Sequence, residues 1–436
     1  MQTAMQSGLH VPANEDHSGL MTDSPLSHFE RLPGDPILDV GRRYKADLRS
    51  DKANLGVGIY LGDDGSEFKF SAIRAAEVIV NERTSRTASY LLPTGYEPLC
   101  RGLERLVFGR DNPICSDGTV VSLQTLGGTG ALAVAARTIQ RKYPNAEVLI
   151  SAPTWPNHRG IFEDAGLEVR PYRYYHRETH QVDFEGMKSD LFSETNPGRV
   201  RVIILHACCH NPTGADLNQT QWQEFADGLK SRAASNIVVF DNAYQGFGTS
   251  LEEDAFPIRA FSNQGIPLVV AVSLSKSMGL YGERVGALIA ALGTSDQAQS
   301  FLTQAQFSAR RIWSSPAAYG GRLAGEVLNN KDLYATWESD YRVIHKRVLA
   351  MRNSFVDRMN QLGIAKYDHV RNGQGLFALL QVPDGTVEAL EKQHAIYSVR
   401  DTTVFNHPGE EGMRVNLAGL NSSSLPRFCQ ALAGRV

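Results

Sequence analysis

Between residues 117 and 286, short runs of apolar and β-branched residues alternate with longer stretches whose apolar positions recur every three or four residues. The runs at 119–126, 147–151, 201–206, 237–240 and 268–273 predict strands. Residues 131–143 carry the helical period and stop before Pro144, which predicts a helix. Strands separated by helical stretches predict an α/β fold, a large domain with a mostly parallel sheet flanked by helices. Beyond about residue 330 the character changes. A long charged helical stretch, 332–362, precedes strand-like segments at 376–382 and 414–417, and predicts a smaller α+β domain. The expected division is 68–343 for the large domain, and 35–67 with 344–436 for the small one. Residues 1–34, polar over most of their length, are expected to form a flexible leader or arm.

Composition narrows the class. The chain has 436 residues, 42% of them hydrophobic, and a net charge of -3. That balance suits soluble globular cores rather than disorder or a fibre, and offers no global attraction for nucleic acid or an anionic membrane. The longest apolar runs, such as 202–205 and 268–272, are strand-sized and far short of a membrane span. Residues 1–27 hold no basic stretch followed by an apolar core, so no secretory signal is expected. Five cysteines in so long a chain do not suggest a disulfide framework, and the cytoplasm is the expected compartment.

The chemistry-bearing residues follow the strands, where a parallel sheet places its sites. Gly128-Thr129-Gly130 sits between a strand and a helix, where free N–H groups bind phosphate. The same glycines fit a dinucleotide fingerprint, but the next strand ends without the acid that would hold a ribose; a purely structural turn is the third reading. The His206-Ala207-Cys208-Cys209-His210 run resembles a metal cluster. Neighbouring side chains on a strand face opposite ways, however, and no second cluster completes a tetrahedral set, so buried structural cysteines and no metal are expected. Asn211, in the turn that follows, could donate to a ligand. Asp241 ends another strand and fits a helix cap, a metal ligand or a partner for a cationic ring nitrogen. Tyr244 lies three residues on. Lys276 ends an apolar strand; in a low-dielectric crevice its amine becomes a nucleophile suited to a Schiff base, whereas most lysines are solvated charges. Arg284 fits a phosphate counter-ion or a surface arginine. Arg414 alternates with apolar neighbours and fits a carboxylate fork or a solvated edge.

Together these groups suit a ligand with a phosphate, a ring needing an acidic partner and an aldehyde for a lysine, alongside a carboxylated substrate; pyridoxal 5'-phosphate meets these demands. Residues 54–60 (NLGVGIY), 128–130 (GTG), 153–158 (PTWPNH), 209–214 (CHNPTG), 243–247 (AYQGF) and 282–286 (GERVG) closely resemble the class I aspartate and aromatic aminotransferases, of fold type I, in order and with similar spacing. The likeness runs from about Asp35 to the C-terminus.

The resemblance implies the following roles. Lys276 forms the Schiff base and shuttles a proton. Asp241 holds the pyridine nitrogen, Tyr244 and Asn211 bond the phenolic oxygen, and Trp155 stacks on the ring. Gly128, Thr129, Ser273, Ser275 and Arg284 surround the phosphate, joined by Tyr90 from a partner subunit. Arg414 grips the substrate α-carboxylate near Asn211 and Gly58. Arg310 crosses the interface of a homodimer with shared active sites and pairs with a distal carboxylate. The implied reaction is ping-pong transfer between an aspartate- or aromatic-type amino acid and 2-oxoglutarate. An alternative keeps the cofactor but takes a specialised substrate, or performs β-elimination or decarboxylation.

Residues 124–128, 211–217 and Ser315 look like the aromatic branch, Thr129 like the aspartate branch. Leu274 stands where many aspartate enzymes have an aromatic residue. Residues 91–96 and the long run 400–412 depart from the family pattern. Both are expected to reshape the pocket.

Overall fold

The computed structural model describes residues 24–32, 34–83, 89–193 and 198–436. Residues 36–436 form one compact unit and residues up to Asp35 a separate one. In the latter, the 3-10 turn Pro25–His28 follows Ser24, whose Oγ accepts the Leu26 N–H. Residues 1–23 of the expected leader lie outside the described residues.

Seven strands make the main sheet: Val120–Leu126 (β1), Glu147–Ala152 (β2), Glu168–Arg173 (β3), Arg201–His206 (β4), Asn236–Asn242 (β5), Leu268–Ser273 (β6) and Val285–Ala291 (β7). Their order is β1-β7-β6-β5-β4-β2-β3, and only β7 runs against its neighbours. Two of the seven, β3 and β7, are absent from the pattern-based expectation. β3 is an edge strand in which exposed Glu168, Arg170 and Arg173 interrupt the apolar signal. β7 is mostly Gly and Ala, a composition that does not favour a strand. It is formed instead by tertiary pairing, because an antiparallel return from β6 needs no crossover helix.

Neighbouring residues along each central strand enter opposite cores. Ile203, Leu205, Val238, Phe240, Val270 and Val272 face one side. Val202, Ile204, Val239, Val269 and Ala271 face the other, where they meet Ala131, Leu132 and Ala135. The last three belong to the helix Gly127–Lys142 (α1). Burial on both faces is what makes these strands read as continuous apolar runs.

A second, antiparallel sheet contains Phe377–Pro383 (β8), Val399–Asp401 (β9) and Glu410–Asn416 (β10), ordered β8-β10-β9. Its core gathers Leu380, Met413, Val415 and Phe428, and it recruits Ala53 and Leu55 from early in the chain. Residues Ala53–Asn54 pair in parallel with Ile396–Tyr397. The long helix Lys331–Gln361 joins the two cores. Its Trp337, Tyr341, Ile344 and Val348 pack with the main sheet, whereas Phe355, Val356 and Met359 pack with the small one. The proposed boundary at 343/344 falls inside this helix.

One residue of that helix fastens the small sheet to the site. Arg352 is fully buried, and its guanidinium donates to the carbonyls of Val370, Gln374, Gly375 and Phe377. Burial lowers it to about 10. Arg352→Met keeps the stem but orphans these carbonyls, each at about 1–3 kcal/mol. We expect a loss of at least about 3 kcal/mol, read as a lower urea midpoint at unchanged slope.

Candidate active site

The parallel strands end along one edge, and a cavity of about 290 Å³ opens there. At one end lies the start of α1, where the first N–H groups have no intrahelical partner. Gly127 adopts φ +70°, and a Cβ on Gly128 would come within 3.1 Å of Ser273 Cβ, so the backbone itself forms the wall. Ser275 accepts from Arg284 Nη1 at 3.0 Å, and Arg284 Nη1 also reaches the Tyr281 carbonyl at 3.1 Å. Open N–H groups, two hydroxyls and a guanidinium make an anion cradle.

In the middle stands Asp241, held by a chain of buried contacts. Its Oδ2 lies 3.1 Å from His158 Nε2, His158 Nδ1 lies 2.8 Å from Thr154 Oγ1, and Thr154 Oγ1 lies 3.1 Å from His206 Nε2. Burial pushes the Asp241 carboxyl up, but the His158 hydrogen bond, with the neighbouring His158 ring and Lys276 amine, outweighs it, and the group lies below its ordinary value. Burial, aided by His158, lowers His206 to about 3, so it is a neutral relay. Lys276 Nζ sits 5.0 Å from the Tyr244 ring centroid. Burial lowers its amine to about 8, against the pull of Asp241 and with help from Arg284 and Arg414. Burial likewise raises the Tyr244 phenol.

At the far end, β10 turns Arg414 inward. Its Nη1 donates to Asn211 Oδ1 at 3.1 Å and its Nη2 to the Gly56 carbonyl at 2.5 Å. The guanidinium lies 4.4 Å over the Phe377 ring. A Cβ on Gly58 would meet Phe377 Cζ at 2.9 Å, so only glycine leaves this wall open. The cavity thus joins an anion cradle, a buried amine beside a carboxylate, and a guanidinium fork.

The chain matches the family model Aminotransferase class I and II over residues 50–432. It belongs to that family. It is 37% identical over 399 residues to the tyrosine aminotransferase of Klebsiella pneumoniae, which covers 91% of this chain and 96% of the relative. It is 35% identical over 410 residues to the aspartate aminotransferase of Haemophilus influenzae, covering 93% and 99% respectively. Among solved structures, the aromatic-amino-acid aminotransferase of Burkholderia pseudomallei, covalently bound to pyridoxal phosphate, superposes with a TM-score of 0.86 at 37% identity. That match covers 94% of this chain and 99% of the other.

Twelve of the residues singled out in the sequence line the aminotransferase cavity: Gly58, Gly128, Thr129, Trp155, Asn211, Asp241, Tyr244, Ser273, Ser275, Lys276, Arg284 and Arg414. Tyr90 and Arg310 do not. Both are exposed, Tyr90 at 96%. Sequence reasoning missed the relay role of His158 and His206. Both stood in motifs already quoted, but only the fold aims them at Asp241. It also missed Phe377 and Ile37, apolar lining residues that no local pattern separates from core.

Neither departure from the family pattern contributes to the chain's own cavity: no residue of 91–96 or 400–412 is among its lining. The longer segment is fastened elsewhere. Glu410 pairs with Arg177 at 2.7 Å, Arg400 with Asp384 at 2.7 Å, and Phe405 is buried near His180. The ligand atoms of Cys208, Cys209 and Asp254 lie within 4.8 Å of one another. Asp254 already accepts from the N–H groups of Gly246, Gly248 and Thr249, and burial raises the Cys209 thiol to about 12.

The lowered amine has a sign that can be measured. Between about 8 and the ordinary lysine value of 10.5, the folded protein binds fewer protons than the unfolded chain. Stability therefore rises with pH across that window, and the penalty for burying the charged amine is complete below it. In cofactor-free protein, Lys276→Met should raise the denaturation midpoint at pH 7, and the advantage should fade by about pH 10. A pH-independent difference would place the amine in water.

Proposed function

We propose that this chain is a pyridoxal-phosphate-dependent aminotransferase of the aspartate/aromatic type, moving an amino group between such an L-amino acid and 2-oxoglutarate. The observation that carries this reading is a buried amine, lowered to about 8, facing a buried carboxylate between an anion cradle and a guanidinium fork.

The residues present fit the cofactor. Gly128, Thr129, Ser273, Ser275 and Arg284 would hold its phosphate, Asp241 its ring nitrogen, Tyr244 and Asn211 its phenolic oxygen, and Trp155 its face. Bound there, pyridoxal phosphate supplies an electron sink for the pair released when the substrate Cα–H bond breaks. The chain's own groups do the rest. Lys276 Nζ, partly neutral near neutral pH, takes the Cα proton and returns it. Asp241, kept anionic by His158, holds a positive charge opposite itself. Arg414, steadied by Asn211, the Gly56 carbonyl and the Phe377 ring, takes the α-carboxylate as a fork, fixing which Cα–H faces the amine.

The reading includes a homodimer in which Tyr90 and Arg310 serve the partner's cavity, supported by their exposure and their absence from the lining of their own cavity. A cytoplasmic setting is supported by five free cysteines. Among the described residues no helix is long and apolar enough to cross a membrane.

Purified protein should show a pH-sensitive visible absorption that Lys276→Ala removes; a colourless protein that takes up no pyridoxal phosphate would overturn the proposal. In amino-transfer assays, Arg310→Ala should reduce kcat/KM for aspartate and glutamate by about 100-fold, the worth of a charged pair. Phenylalanine and tyrosine should lose far less. Equal losses would remove Arg310 from the distal-carboxylate role.

A further inference from the structure

Two segments of this chain carry the exposed residues Tyr90 and Arg310. One is the stretch 90–96, and the other runs from the last turn of the helix Ser295–Ile312, which holds Arg310, through the connection to the first turn of the helix Ala318–Asn329. They are remote in sequence, yet both end on the same buried side chain. Gln124, in β1, is 1% exposed. Its Oε1 accepts the Tyr96 N–H at 2.9 Å, and its Nε2 donates to the Ala317 carbonyl at 2.8 Å. Its backbone N–H reaches the Thr94 carbonyl at 2.8 Å.

Both segments also press on it. A Cβ on Gly95, which adopts φ +86°, would fall 2.2 Å from Gln124 Cβ, and one on Gly321 would fall 2.7 Å from its Nε2. Ser315 adds a direct strut between the segments, its Oγ donating to the Leu91 carbonyl at 2.7 Å. In the same turn Ser314 holds φ +64°, a strained conformation for a residue with a side chain, which persists only where its surroundings fix it.

Gln124 lines neither its own cavity nor the surface, and a buried carboxamide with both ends engaged is a stiff link. We propose that Gln124, with Ser315 as its strut, is a positioning residue acting in trans: it fixes the spacing between the Tyr90 segment and the Arg310 turn so that both enter the partner's cavity together. The inference rests on the homodimer reading above. It assigns residues 91–96 their task, which is to present Tyr90 rather than to line a pocket.

Subunit mixing tests it. The Gln124→Met homodimer, with similar volume and no amide, should show KM for aspartate and 2-oxoglutarate raised about tenfold with a smaller change in kcat. A heterodimer of Gln124→Met and Lys276→Ala chains, isolated through two different tags, holds one site whose lysine and whose partner segments are both intact. It should recover the parental KM and about half the parental kcat per dimer. A control heterodimer pairs Arg310→Ala with Lys276→Ala. If the control recovers and the Gln124→Met heterodimer keeps the raised KM, Gln124 acts in its own subunit and the proposal is overturned. If neither recovers, the shared-site reading fails, and the proposal with it. Should Gln124→Met yield no folded dimer, Ser315→Ala enters the same mixing with the same outcomes.

Discussion

The register of the parallel strands is the constraint on which the rest depends. His206 stands opposite Asp241, Asp241 opposite Ala271, and Asn242 opposite Val272. A slip of one residue would turn Asp241 into a core and leave Lys276 facing apolar side chains. Slippage is opposed because each central strand is buried on both faces, so a misregister exposes or clashes two apolar sets at once. The edge where these strands end therefore inherits its geometry from the packing behind it.

Burial also sets the chemistry. The low-dielectric edge lowers the Lys276 amine and would raise the Asp241 carboxyl, so burial alone favours the neutral form of both groups. The relay through His158, Thr154 and His206 tips only one of them. The same desolvation thus yields an available amine and a retained carboxylate a few residues from each other's strand ends. Arg414 is held flat by a different device, with Asn211 and the Gly56 carbonyl at its edges and Phe377 beneath it.

The second sheet contributes that fork, and its placement depends on long-range links. Ala53 and Leu55 enter its core from early in the chain, and Arg352 ties the long helix to the segment that leads into β8 through the carbonyls of Val370, Gln374, Gly375 and Phe377. On the opposite side, the segments bearing Tyr90 and Arg310 lean on β1. The molecule thus supports an inward-facing set of groups and an outward-facing set from the same sheet.

The apolar runs and the residues following them determined the architecture class and eight of the twelve lining positions, because buried strands and polar strand ends are local signals; Gly58, Trp155, Ser273 and Ser275 came only with the family resemblance. The quoted motifs extended this to the family. Three things were decided only by the tertiary structure. β7 is a strand because β1 and β6 flank it, not because Gly and Ala favour one. His158 and His206 became a relay because β2 and β4 lie side by side. Residues 91–96 and 400–412, unusual in sequence and expected to reshape the pocket, are absent from their own chain's lining; the first is fastened to Gln124 and Ser315, the second to Arg177, Asp384 and His180. Side-chain direction and long-range partners carry no periodicity along the chain, so these outcomes become fixed only when the sheets close.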